Sequence, residues 1–123
     1  MSQSTKILVA DDDDDIREVI ALVLEPFGFE TVGACDGVEA LAALRANPDV
    51  QLIILDLMMP RLGGAEMMKA LREELGFDRI PVVVLSGDNT VSDTASAIGA
   101  VKYLRKPVDL DNLLSTIRIS LGA

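Results

Sequence analysis

The chain has no histidine and no tryptophan, a single cysteine, one tyrosine and three phenylalanines. Without histidine, imidazole metal sites and histidine-dependent catalytic triads are excluded. Cys35 alone cannot form an internal disulfide, and that usage fits a reducing compartment. Positive charge is scarce: 11 Lys and Arg stand against 20 Asp and Glu, a net charge of −9. So acidic a chain is poorly suited to bind nucleic acid or an anionic membrane directly. No apolar run approaches the roughly 18 residues of a membrane span. Residues 1–6 lack the layout of a signal peptide. A cytoplasmic protein without a membrane segment is expected.

What is present fits one globular domain. The 123 residues are 50% hydrophobic and 25% charged, enough to bury a core without staples. Short apolar runs at residues 6–10, 29–34, 51–55, 81–86 and 101–104 are rich in Val, Ile and Leu. Near-continuous apolarity of this kind marks strands covered on both faces. Helical spacing separates them. Ile16, Val19, Ile20, Val23 and Leu24 form one stripe, and Val38, Leu41 and Leu44 another, over about 37–46. Asp36 with Glu39 predicts a capping box for that second helix. A third helix is expected over about 64–75. A fourth, over about 90–98, is weakened by Ser92, Thr94 and Ser96. A fifth starts near Asp109 with Leu110, Leu113, Leu114 and Ile117.

Alternating strands and helices predict a doubly wound α/β domain over residues 1–123. It has a five-stranded parallel sheet of order 2-1-3-4-5, with helices on both faces. Ligands of such sheets sit beyond the strand C-termini where the strand order reverses, here between strands 1 and 3.

Three charged clusters end three of the apolar runs. Asp11 and Asp12 follow Ile7–Ala10, Asp56 follows Leu52–Leu55, and Lys106-Pro107 follows Val101–Arg105. Asp13, Asp14 and Asp15 are explained by the next helix, whose N-terminus is stabilised by about 0.3–1 kcal/mol per nearby negative charge. Asp11 and Asp12 belong instead to the strand end. With Asp56 on the neighbouring strand, they make an acidic group that calls for a divalent cation. Three carboxylates and one ammonium leave two net negative charges, which one Mg²⁺ cancels. Mg²⁺ takes oxygen donors and keeps several waters. A phosphoryl group on Asp56 would bring it to roughly −2, so metal and ammonium would have to stand beside it. An ionised Asp needs no general base to attack phosphorus, which leaves positioning and electrostatics as the catalytic work.

Four segments in order resemble the response-regulator receiver domain of two-component signalling. They are Ile7–Asp13, Leu55–Pro60 with Gly64, Val84–Gly87, and Gly99–Pro107. The resemblance covers almost the whole chain and implies a flavodoxin-like fold. It implies that Asp56 accepts a phosphoryl group from a phosphohistidine. Asp11 and Asp12 would hold Mg²⁺, with Mn²⁺ as a substitute, together with Asp56 and the backbone carbonyl of Met58. Ser86 and Lys106 would bind phosphoryl oxygens, and Tyr103 would turn inward as a switch with Ser86. The Lys106-Pro107 bond is a candidate cis bond. The implied partners are a sensor histidine kinase or histidine phosphotransfer protein and a downstream protein target, with the domain as monomer or phosphorylation-dependent dimer. It would be a signalling domain rather than an enzyme, apart from catalysing its own phosphorylation and dephosphorylation.

Gly63, Gly87 and Leu57 depart from the commonest family pattern without removing a required group. Met58 has no polar side chain to orient water, and Asp88 adds negative charge, so slow self-dephosphorylation is expected. Cys35 reads as a small core residue. A shuttle to a histidine phosphotransfer protein, or a piece of a larger regulator, fits the same residues. An Asp-dependent phosphohydrolase is disfavoured because Met58 stands where its second Asp belongs. A flavin carrier is disfavoured because Asp11 to Asp15 would repel the flavin phosphate. A degenerate docking receiver is disfavoured by the complete acceptor set.

Overall fold

In the computed structural model all five expected apolar runs are strands. It describes residues 5–56, 66, 69, 70, 72, 73, 80–86, 102–105 and 108–122, apart from the side chains of Ser86, Tyr103 and Arg105. The strands are β1 (Thr5–Ala10), β2 (Phe29–Ala34), β3 (Val50–Asp56), β4 (Val82–Ser86) and β5 (Lys102–Arg105). They pair in parallel in the order β2-β1-β3-β4-β5, the arrangement expected.

Successive side chains of a strand point to opposite faces, and both faces are covered. Leu8, Ala10, Ile53, Leu55, Val82 and Val84 bury with Ala40, Leu41 and Leu44 of α2 (Gly37–Ala46). Ile7, Val9, Leu52, Ile54, Val83 and Leu85 bury on the other side. Their partners are Ile20 and Leu24 of α1 (Asp14–Leu24) and Leu113 and Ile117 of α3 (Leu110–Ser120). The site therefore rests on central strands that cannot move without opening a core. Among the described residues no helix is long and apolar enough to cross a membrane.

α1, α2 and α3 each start at an Asp that satisfies otherwise unpaired amides. Asp13 Oδ1 accepts from the N–H groups of Asp15 at 2.9 Å and Ile16 at 3.3 Å. Asp109 Oδ1 accepts from Asp111 at 3.0 Å and Asn112 at 3.3 Å. Asp36 Oδ1 accepts from Glu39 at 2.8 Å. A short 3-10 turn, Glu25–Phe27, follows α1. It ends at Gly28, whose φ of 85° suits glycine and turns the chain into β2.

Four expectations need correction in detail. Asp36 caps α2 as expected, but Glu39 Oε1 accepts from the N–H of Cys35 at 2.9 Å, one residue before the cap. Val38 is 48% exposed. The buried stripe of α2 is Gly37, Ala40, Leu41 and Leu44, and a residue next to such a stripe lies about 100° around the helix. Val19 is likewise 44% exposed, beside the buried Ile20. Cys35 is half-buried rather than core, since it sits in the bend between β2 and α2. Of the expected third helix, Glu66, Lys69 and Ala70 are helical. Arg72 and Glu73 are π-helical; its other residues and the expected fourth helix lie outside the described residues.

Candidate functional site

β1 and β3 are neighbours, and Ala10 stands opposite Leu55. One residue further on, each chain presents a carboxylate: Asp11 past the end of β1, and Asp56 as the last residue of β3. This is the reversal point of the strand order, with β2 on one side of β1 and β3 on the other.

Asp11 is fixed by its surroundings. Its N–H donates to the carbonyl of Ala34 at 3.0 Å, continuing the bonding between β1 and β2. Its Oδ1 accepts from the N–H of Asp13 at 2.9 Å. Its own carbonyl accepts from Arg17 Nη1 at 2.6 Å. Asp11 is 0% exposed and Asp56 2% exposed, while Asp12 is open to solvent.

Asp11, Asp12 and Asp56 each offer a carboxylate oxygen, and these oxygens lie within 4.8 Å of one another. At an effective dielectric near 20, two unit charges that close repel by roughly 3–4 kcal/mol. Burial of two of the three makes the repulsion harder for water to screen. Three hard oxygen donors, two of them held on rigid strand ends, are a set that suits Mg²⁺ and offers nothing to a soft metal.

Among the described residues a second acidic group joins Cys35, Asp36 and Glu39. Its geometry belongs to the start of α2, where Asp36 and Glu39 accept backbone N–H bonds. The Cys35 thiol is pushed above its ordinary pKa, first by its hydrogen bond with Glu39, then by burial and by the charges of Glu39 and Asp36.

The remaining expected residues are placed only in part. Asp56 pairs with Leu85 across β3 and β4, so the backbone of Ser86 stands at the same edge, one position beyond. Ser86 pairs with Arg105, and Val84 with Tyr103 on β5. The side chains of Ser86 and Tyr103 lie outside the described residues. So do Met58, Gly63, Gly64, Gly87, Asp88, Lys106 and Pro107. Arg17 is a contact that sequence reasoning missed. The available signal was that Arg17 is the only Lys or Arg between Lys6 and Arg45, and it follows five consecutive Asp residues.

A doubly wound parallel sheet with an acidic group at its reversal point defines a class of signalling and ligand-binding domains. Comparison with known proteins narrows it. The family model of the response regulator receiver domain matches residues 7–118. The response regulator MprA of Mycobacterium bovis is 40% identical over 121 residues, covering 96% of this chain and 51% of that protein. The chain thus spans about half the length of the curated relatives it matches. The chemotaxis protein CheY4 of Vibrio cholerae superposes with a TM-score of 0.87 at 31% identity, covering 95% of this chain and 98% of that one. A CheY-like receiver domain protein from Methanospirillum hungatei gives a TM-score of 0.85 at 28% identity, covering 98% and 95%. The chain belongs to the response-regulator receiver domain family of two-component systems. Domains of this family are signalling domains that generally bind Mg²⁺ in an acidic pocket, and response regulators work with histidine kinases and downstream effectors.

Proposed function

We propose that residues 1–123 form one receiver domain in which Asp56 is the phosphoacceptor. A carboxylate oxygen of Asp56 attacks the phosphorus of a partner's phosphohistidine. The new O–P bond forms as the P–N bond breaks, and the imidazole leaves with the electron pair. Asp56 ends as an acyl phosphate. The attacking group is the carboxylate anion, so no base has to remove a proton from it at the moment of attack.

Asp11, Asp12, Asp56 and the carbonyl of Met58 would hold Mg²⁺. When bound, the ion supplies positive charge beside the oxygens of the transferring group. Asp11 has a single orientation because its amide, carboxylate and carbonyl are all bonded. Asp12 is exposed, so the acidic group is reachable from solvent. Ser86 donates its hydroxyl to one phosphoryl oxygen and Lys106 its ammonium to another. Drawing Ser86 toward the phosphoryl group vacates space that Tyr103 fills, and the changed surface is read by a protein partner. Such a site works as a signalling switch; any catalysis is confined to its own phosphorylation and dephosphorylation.

The observation that carries this reading is the approach of the Asp11, Asp12 and Asp56 oxygens to within 4.8 Å. The test is incubation with Mg²⁺ and a small acyl-phosphate donor, read by intact mass. Wild type should gain one phosphoryl group and Asp56→Asn none; equal labelling of both would overturn the assignment. Relatives about twice as long favour a second reading, in which this domain governs an attached output segment of a larger regulator.

A further inference from the structure

We propose that Arg17 is a positioning residue for the Mg²⁺ site, clamping the peptide that joins Asp11 to Asp12. This rests on the reading of the acidic edge given above. Arg17 Nη1 donates to the carbonyl of Asp11 at 2.6 Å. Its Nη2 bonds and pairs with the carboxylate of Asp14. The pairing with Asp14 joins residues one turn apart at the surface, and contacts of that kind contribute little by themselves. The bond to the Asp11 carbonyl is different in kind. That carbonyl lies past Ala10, the last residue of β1 paired with β2 and β3. A peptide group is planar, so fixing the Asp11 C=O also fixes the N–H and Cα of Asp12. One guanidinium therefore sets the orientation between a buried carboxylate and an exposed one.

The route Arg17 takes to this carbonyl is also built. Its stem crosses Gly33 on the edge strand β2. A Cβ on Gly33 would lie 3.6 Å from Arg17 Cδ and 3.7 Å from Nε. One carbon fits there at ordinary contact distance, whereas a branched side chain would compete with the arginine. The planar fork of arginine serves the carbonyl and Asp14 together, which a lysine ammonium on its flexible stem does not reproduce.

Charge and position make opposite predictions. As a mere cation beside three carboxylates, Arg17 opposes Mg²⁺, so its removal would tighten metal binding. As a clamp it supports the ligand geometry, so its removal weakens binding. Partners that orient metal ligands typically contribute about 10–100-fold to affinity.

The experiment is calorimetric Mg²⁺ titration of the full chain, with a thermal melt in chelator to register folding apart from metal. Wild type, Arg17→Met, Arg17→Lys and Gly33→Val are compared. All three variants should bind Mg²⁺ roughly 10-fold more weakly, while Gly33→Val keeps its metal-free melt. Arg17→Met binding as tightly as wild type or tighter, or Arg17→Lys restoring wild-type affinity, would overturn the clamp. If Arg17→Met fails to fold, Arg17→Lys and Gly33→Val decide, and unchanged affinity in either contradicts the proposal. Wild type that bound no Mg²⁺ would remove the site reading itself and the clamp with it. Wild type that binds, with variants unaltered, would remove only the clamp.

Discussion

The N–H of Asp13 donates to Asp11 Oδ1 across 2.9 Å, while the Asp13 carboxylate accepts from the first amides of α1. The start of the helix and the orientation of the buried carboxylate are thus one construction. Folding α1 sets the direction in which Asp11 points, and the strand end sets where α1 begins.

Asp11→Asn separates the two roles. The amide oxygen of Asn can accept the same bond from Asp13, and neutralising one of three crowded carboxylates relieves their repulsion, so urea unfolding without Mg²⁺ should show the variant at least as stable as wild type. Loss of one charged ligand should still weaken Mg²⁺ by about 10-fold or more, since affinity at oxygen sites follows ligand charge. Calorimetric titration beside the urea curve checks both halves. Wild-type Mg²⁺ affinity in this variant would show that Asp11 is only a turn residue.

Asp36→Ala should destabilise the protein by about 1–2 kcal/mol, the upper part of the range for a lost N-cap. Asp36 is buried and its Oδ1 accepts from Glu39 at 2.8 Å. The Cys35–Asp36–Glu39 group has no metal role in this account, so adding Mg²⁺ should not change the size of that loss. Denaturant curves with and without Mg²⁺ measure it.

Much of this architecture was legible because the sheet is covered on both faces. Ile7 to Ala10 and Leu52 to Leu55 carry no polar residue, and only strands buried on two sides need that. Asp56 was legible for the same reason, as a charge at the end of such a run. Three features were not. Val38 and Val19 lie at the rims of their stripes, and apolarity alone does not say which side of a rim faces water. Arg17 reads as an ordinary surface cation on a helix. Its bond runs to a backbone carbonyl, and backbone acceptors leave no mark in residue spacing.

Lys6 sits near the opposite end of β1, with Nζ 3.0 Å from Asp49 Oδ2 and 3.3 Å from Asn47 Oδ1. Its hydrogen bond, followed by one to the Asp49 backbone, holds the Asp49 carboxyl below the ordinary value. A lowered folded pKa means the ionised form favours the native state. The contribution is present above the unfolded pKa and is lost as pH falls through the folded one. Asp49→Asn should therefore melt slightly below wild type at neutral pH and converge with it in acid. The effect is small because the carboxylate is exposed. A thermal-melt series across pH tests this, and a difference that persists in acid would contradict it.

Once phosphorylated, Asp56 should lose its phosphoryl group slowly, because Met58 has no polar side chain to orient an attacking water. Met58→Asn should speed the loss several-fold with Asp88 unchanged. Decay of the phosphorylated species, followed by intact mass after donor removal, provides the comparison. Equal decay rates would reject this role for Met58.

The most direct test is the dependence of phosphoryl incorporation on Mg²⁺ concentration, with an acyl-phosphate donor in excess. Clustered carboxylates that need a divalent cation before one of them can attack phosphorus predict a saturating rise from essentially no incorporation in chelator. Asp56→Asn should stay at the baseline throughout. Incorporation that proceeds as fast in chelator as in saturating Mg²⁺ would contradict the account.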